Sequence, residues 1–319
     1  MNRPILNLSA LLLLSCATLA TAQTPAAFNL IPLASGVSAA IDNPAAKADS
    51  SGSNAAFIIG PDSVVVVDTF ENPTAAQKLL DTIHSQTKLP VRFVINTHYH
   101  LDHVAGNQVF AAAGAIVLAH QNVRTWEHTE NLKFFGPRIT PQQRTFVETL
   151  GLPELTYTHD TTIYLGDHRP ILLRVMPGHT GGDTVVYDST ANIVICGDLF
   201  WNHTLPNLID ATTSQWIATL NTLLADYPTA TFVPGHGDHP GTAADLRDFR
   251  DYLAFLRTSI SAAQATGLQG QPLVEAVLPQ IKAKYGSWAF FDFAQPDILR
   301  TDEELRGVKE IPHPEDSTH

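Results

Sequence analysis

The run Thr97-His98-Tyr99-His100-Leu101-Asp102-His103 decides how this chain is read. It follows Val91–Asn96, an apolar stretch with the length of a buried strand. His98 and His100 alternate, so in extended backbone both side chains leave by the same face. Asp102 and His103 fall where the chain is expected to turn into a helix over residues 102–113, which aims them at a second point close by. Imidazole and carboxylate are donors that zinc takes, and coordination positions left open beside them suit catalysis.

Outward from that run, three more places supply donors. They are His179 in Pro177-Gly178-His179-Thr180-Gly181-Gly182, Asp198 in Cys196-Gly197-Asp198, and His236 in Pro234-Gly235-His236-Gly237. Each follows a hydrophobic run that reads as a strand, so the side chains are expected to converge along one edge of the layers. A lone His-x-His is weak evidence for a metal. A dense cluster joined by three glycine-flanked residues at strand ends is hard to explain as unrelated core histidines.

The chain around these places alternates strands and helices. Strands are expected at Ala55–Ile59, 64–68, 115–119, 162–165, 171–176, Thr184–Asp188, 193–196 and 231–233. Helices are expected at Pro73–Gln86, 214–225, 243–266 and 273–285. Residues 50–54, Ser-Ser-Gly-Ser-Asn, look like a hairpin turn. Residues 24–53 are rich in Ala, Ser and Pro and read as a loose linker leading into the first strands. This order points to an α/β layer architecture. Residues 121–154 form a long excursion, either packed on the body or walling a site. The aromatic cluster of Trp288, Phe290, Phe291 and Phe293 is expected to pack. The tail after Gly307 is polar and expected to be mobile.

The N-terminus has the layout of an export signal. Arg3 precedes an apolar run over residues 5–14, and Ala20-Thr21-Ala22 forms a small-x-small cleavage site before Gln23. That run is short for a membrane span, which takes about 20 residues. A lipoprotein signal ending at Cys16 is the rival, for which Leu14 fits poorly. Cleavage after Ala22 leaves Cys196 alone, so no intrachain disulfide can form. The expected location is periplasmic or secreted, with no stable membrane insertion after cleavage. The net charge of -12 and the lack of any basic run argue against nucleic acid as a partner. A small-molecule substrate is expected, and the oligomeric state is left open.

At the quoted residues the chain resembles the metallo-beta-lactamase superfamily, over residues 54–265. The resemblance implies a four-layered αβ/βα sandwich with two zinc ions at one edge. It implies that His98, His100 and His179 hold the first ion and Asp102, His103 and His236 the second, with Asp198 as a bridging carboxylate. A hydroxide held between the ions would attack a carbonyl or phosphoryl centre, with Asp102 orienting it as the catalytic residue. On this basis the chain divides into a signal peptide (1–22), a linker with the first strands (23–53), a hydrolase domain (54–266) and a C-terminal helical extension with a mobile tail (267–319).

The superfamily spans several chemistries, so fold alone does not name the substrate. His100 stands where di-iron members carry an acidic residue, which favours hydrolysis over oxygen reduction. The runs 97–103, 178–181 and 197–200 match glyoxalase II, yet no cationic glutathione site is legible. One large branch of zinc beta-lactamases has Cys where this chain has Asp198, and a Lys soon after it; here no Lys occurs between Asp198 and Arg247. The expectation is an exported di-zinc hydrolase of a β-lactam, lactone or ester. A persulfide dioxygenase and a thioester hydrolase of the glyoxalase II kind are the alternatives. Trp126, Asn202 and His203 are expected to meet substrate, and Asp183 to hydrogen-bond a ligand histidine. His120 reads as a structural residue or a support behind the ligands, His239 as a surface residue or such a support, and His84, His128, His159, His168, His313 and His319 as solvated or packing residues.

Overall fold

Regular structure begins earlier than the composition of residues 24–53 suggests. β1 (Phe28–Ala34) and β2 (Val37–Asp42) pair antiparallel across Gly36. The small residues Ser38, Ala39 and Ala40 are all buried in that hairpin, so close packing does the work that large side chains signal elsewhere. Residues 50–52 then wrap Asp42, whose Oδ1 accepts from Ser50 Oγ (2.5 Å), Ser51 Oγ (2.8 Å) and the Gly52 amide (3.0 Å). This is a longer, side-chain-organised connection rather than the tight hairpin turn expected there. The computed structural model describes residues 25–313. The export signal, Cys16 and the last six residues lie outside the described residues.

β3 (Ala55–Ile59) and β4 (Val64–Val67) continue the antiparallel meander, and α1 (Pro73–Gln86) leads to β5 (Val91–Asn96). α1 starts where Asn72 accepts from the Thr74 amide and Pro73 presets the first turn. α2 (Leu101–Val104) and α3 (Asn107–Ala112) replace the single helix expected over 102–113. The break falls at Gly106, where an added Cβ would collide with Thr69 O and the Ala76 methyl. β6 (Ile116–His120), α4 (Gln121–Phe135), α5 (Pro141–Glu148) and β7 (Leu155–Tyr157) complete a seven-stranded sheet ordered β1 to β7. Its last four strands, β4 to β7, are parallel.

The second sheet holds β8 (Thr161–Leu165), β9 (Arg169–Val175), β10 (Thr184–Asp188) and β11 (Ile193–Trp201). After α6 (Thr213–Asp226), β12 (Thr231–His236) adds in parallel to β11, giving the order β12-β11-β10-β9-β8. Three helices follow: α7 (Ala243–Ala265), α8 (Gly270–Tyr285) and α9 (Ala294–Leu305).

The layers follow from alternation along the strands. Val64 and Val66 face α1 and α3, with Leu79, Ile83 and Phe110; Val65 and Val67 face the second sheet, with Ile95, Val186 and Ile195. Burial on both faces is why such strands read as unbroken apolar runs. The outer face of the second sheet packs on α6 and α7, and Leu273, Val277, Ile281 and Ile298 of α8 and α9 join that same core. The result is helix, sheet, sheet, helix: the αβ/βα sandwich. No helix among the described residues is long and apolar enough to cross a membrane.

Candidate metal centre

The centre forms where strand ends from both sheets meet. β5 ends at Asn96, whose amide pairs reciprocally with that of Asn107 (2.9 Å each way) and so ties the strand end to α3. Asp68, at the end of β4, sits at φ +61, a conformation rare outside glycine and found at sites that need it. From there its carboxylate accepts from the Thr97 amide and hydroxyl (2.8 Å each) and meets His103 Nδ1 at 2.8 Å. Thr97 Oγ1 in turn lies 3.0 Å from His98 Nδ1. One buried carboxylate thus orients two histidines.

The other donors arrive on the second sheet. Asp183 accepts from the amides of Gly178 (2.9 Å), His179 (2.8 Å) and Thr180 (2.8 Å), and also from the Thr180 hydroxyl. It therefore sets the backbone of the His179 turn; it does not bond a ligand imidazole, as the sequence suggested. β11 runs on past Cys196 to Trp201, and its register with β12 shifts at Gly197, which takes φ +51. Such a bulge re-aims the next side chain, here Asp198. Across the pair, any Cβ at position 235 would collide with Asp198 Oδ1, so Gly235 is what allows that carboxylate its place. His236 is stacked on Trp201 (ring centroids 4.0 Å apart).

Two donor groups result: His98, His100, His179 and Asp198 in one, Asp102, His103 and His236 in the other. Asp198 stands between them. Its Oδ2 lies 3.3 Å from His179 Nε2 and 3.7 Å from His98 Nε2; its Oδ1 lies 3.0 Å from His103 Nε2 and 3.4 Å from His236 Nε2. His100 joins the first group through Nδ1, 2.9 Å from His179 Nε2, while its Nε2 faces Asp210 Oδ2 at 3.0 Å. Asp102 Oδ2 is 3.1 Å from His236 Nε2. All seven sequence-derived candidates therefore come together.

Charge in this cluster is polarised. Burial, with His103 close by, holds the His98 imidazole well below its ordinary value, and burial pushes His179 down to about 3. Against the same burial, Asp198 and Asp102 draw His103 well up and His236 up to about 9. Burial works against the Asp198 and Asp102 carboxylates too, but the histidines around them keep both well below the usual range. His98 and His179 are thus neutral and Asp198 and Asp102 ionised, the protonation states that coordinate a cation; a cation bound there would displace the protons that the carboxylates hold on His103 and His236.

The donor set fits divalent metal. His98 Nε2 is buried without a hydrogen-bond partner, and His103 Nε2 and Asp198 Oδ1, also buried, face each other at 3.0 Å without hydrogen-bond geometry. Buried polar atoms without partners are costly, and these converge on the same two places. Nitrogen and carboxylate donors in such numbers suit zinc.

Beside the donors opens a cavity of about 800 Å³, with His100, Asp102, Asp198 and His236 in its lining. Phe134 and Phe135 at the end of α4 form one wall. Phe290 and Phe293 form another with Trp201, so the C-terminal aromatic cluster is not packing alone. Lys309 and residues 310–313, His313 among them, also line it. The three residues expected to meet substrate lie elsewhere. Trp126 is buried against Tyr99 and Val123, on the inward face of α4. Asn202 is buried and donates to His239 O (3.0 Å). His203 takes φ +50 at the outer end of β11 and faces Trp288 and His239. Asp68 and Asp210 were not singled out from the sequence. Asp68 carried the same strand-end signal as Asp198; Asp210, in a loop, carried none.

The sequence model of the metallo-beta-lactamase superfamily matches residues 49–236. The chain is 26% identical over 195 residues to "Metallo-beta-lactamase type 2" of Bacteroides fragilis, covering 60% of this chain and 71% of that protein. It is 22% identical over 270 residues to "Linear primary-alkylsulfatase" of a Pseudomonas species, covering 72% of this chain and 51% of that one. Among solved structures, "Metallo-beta-lactamase from Pontibacter korlensis" superposes with a TM-score of 0.57 at 22% identity, over 71% of this chain and 99% of that one, a likeness of fold.

Proposed function

Because the chain belongs to the metallo-beta-lactamase superfamily, we propose that it is a di-zinc hydrolase of a small carbonyl substrate: a β-lactam, a lactone or an ester. The observation that carries this is Asp198, whose two oxygens face two separate donor groups. His98, His100 and His179 would hold the first ion and Asp102, His103 and His236 the second, with Asp198 placed to serve both. Bound zinc supplies a Lewis acid and lowers the pKa of a water to about 7, near neutral pH.

The chain's own residues then do three things. The Asp102 side chain is 27% exposed and faces His236 on one side and the cavity on the other, a position from which it would help hold the second ion and orient a nucleophilic water. The aromatic walls of Trp201, Phe290 and Phe134 offer apolar surface that receives the apolar part of the substrate. Asp68 and Asp210 fix which nitrogen His103 and His100 present. The run at residues 5–14 and the Ala20-Thr21-Ala22 site support export to the periplasm or beyond.

The test is a panel of β-lactams, lactones and esters on the purified mature protein. Turnover is expected, lost with a chelator, restored by zinc, and strongly reduced in Asp102→Asn. No turnover across the panel would sink the proposal. Bound iron with oxygen uptake would replace it with a redox function.

A further inference from the structure

We infer that the C-terminal extension is a clasp that positions His100, with Arg300 and Lys309 as its positioning residues. The inference rests on the proposal that His100 is a metal ligand. The link is Asp210, in the loop between β11 and α6. Its Oδ2 accepts from Tyr99 Oη (2.8 Å) and meets His100 Nε2 (3.0 Å). A carboxylate on that outer nitrogen fixes the ring so that Nδ1 turns inward, toward His179.

A loop of this kind has no ladder to hold it, so its backbone groups need partners from elsewhere. Here they come from the C-terminal extension. Lys309 Nζ donates to Leu208 O (2.6 Å) and Ala211 O (2.5 Å), and Arg300 Nη2 donates to Ile209 O (2.7 Å). These three carbonyls bracket Asp210 on both sides. Farther out, Leu205 N donates to Ala289 O (3.0 Å) and Thr213 N to Glu304 Oε2 (2.9 Å). The segment is thus held from end to end by residues 289–309. Hydrogen bonds from charged donors are roughly twice as strong as neutral ones. With Lys309 or Arg300 replaced, the loop loses the contacts that set the direction of the Asp210 side chain.

Both cations also line the cavity, so direct contact with substrate is the competing role. The experiment separates the two on the full-length mature chain. Lys309→Met, Arg300→Met and Asp210→Asn are compared by zinc titration against a chromophoric chelator and by crystal structures of the zinc-free proteins. The clasp predicts that each variant weakens one of the two zinc ions by about 10–100-fold. It predicts that Lys309→Met adds little to Asp210→Asn, because both act through one contact. In Lys309→Met the Asp210–His100 contact opens beyond hydrogen-bond reach, and Lys309→Arg restores it. Wild-type zinc affinity in folded Lys309→Met and Arg300→Met, with only KM raised, would overturn the clasp. So would weakened zinc with the Asp210–His100 contact intact. Should Lys309→Met not fold, Lys309→Gln and Arg300→Lys take its place under the same criteria. A wild-type chain that takes up no zinc would defeat the proposed function, while the crystallographic contact would still decide the clasp.

Discussion

Asp68 shows how much a single buried carboxylate organises. It holds Thr97 by two hydrogen bonds and His103 by a third, and it reaches His98 through the Thr97 hydroxyl. Asp68→Asn keeps the shape and the bond from the Thr97 amide, but it removes the negative charge that steadies His103. Zinc affinity is expected to fall by about 10–100-fold, read by chelator competition, with the fold retained by circular dichroism. Unchanged affinity would mean that His103 needs no orienting partner. At this scale the candidate metal donors were legible and their supports were not. His98 to His103 announce themselves because they are adjacent in sequence. Asp210 lies 110 residues from His100 and borders no regular element, so only the folded chain shows the pairing. Trp126 misled for the converse reason: a large aromatic residue in a long excursion suggests a binding wall, yet it faces inward on α4 while Phe134, eight residues on, faces the cavity.

Among the elements, α7 and α9 are joined by Tyr252 Oη donating to Asp297 Oδ2 (2.8 Å), both side chains being buried. Burial holds the Asp297 carboxyl well above its ordinary range, against the opposing pull of the Tyr252 hydroxyl. The folded chain therefore keeps a proton there that the unfolded chain releases. A raised carboxyl contributes its stability fully below the unfolded value of about 3.9 and loses it as pH rises toward the folded value. Asp297→Asn has no such titration. In urea unfolding of the zinc-free protein, the stability of Asp297→Asn relative to wild type is expected to improve between pH 4 and pH 7. A relative loss over that interval would show that the carboxyl ionises readily in the fold. Most elements could be placed from periodicity, since strands buried on both faces give apolar runs and α1 carries a clean helical stripe. What periodicity could not show was the break at Gly106 and the early hairpin of β1 and β2. The first is dictated by a neighbour's backbone, the second by small residues that pack closely without a strong apolar pattern.

Over the whole molecule, the centre joins the two sheets. His98, His100, Asp102 and His103 belong to the first half of the sandwich, and His179, Asp198 and His236 to the second. An ion bound by both halves stabilises the fold by mass action, about 2.7 kcal/mol at a free concentration one hundred times Kd. Chelation is therefore expected to lower the urea midpoint, and added zinc to restore it. Identical midpoints would mean that the metal does not bridge the halves. An α/β layer architecture was legible from the alternation of strands and helices, and the αβ/βα order from the family resemblance that the histidine run carries. The C-terminal helical extension was legible as an element but its contribution was not, because that lies in contacts made with a loop far upstream; the stretch just after Gly307, expected to be mobile, is tied to that loop through Lys309 and lines the cavity.

The central claim is that Asp198 serves two ions at once. Anomalous diffraction at the zinc edge, from crystals of the zinc-loaded protein, tests it most directly. The account predicts two peaks flanking Asp198, one bonded to Oδ2 with His98, His100 and His179, the other to Oδ1 with Asp102, His103 and His236. A single peak, or two peaks that do not share Asp198, would contradict it.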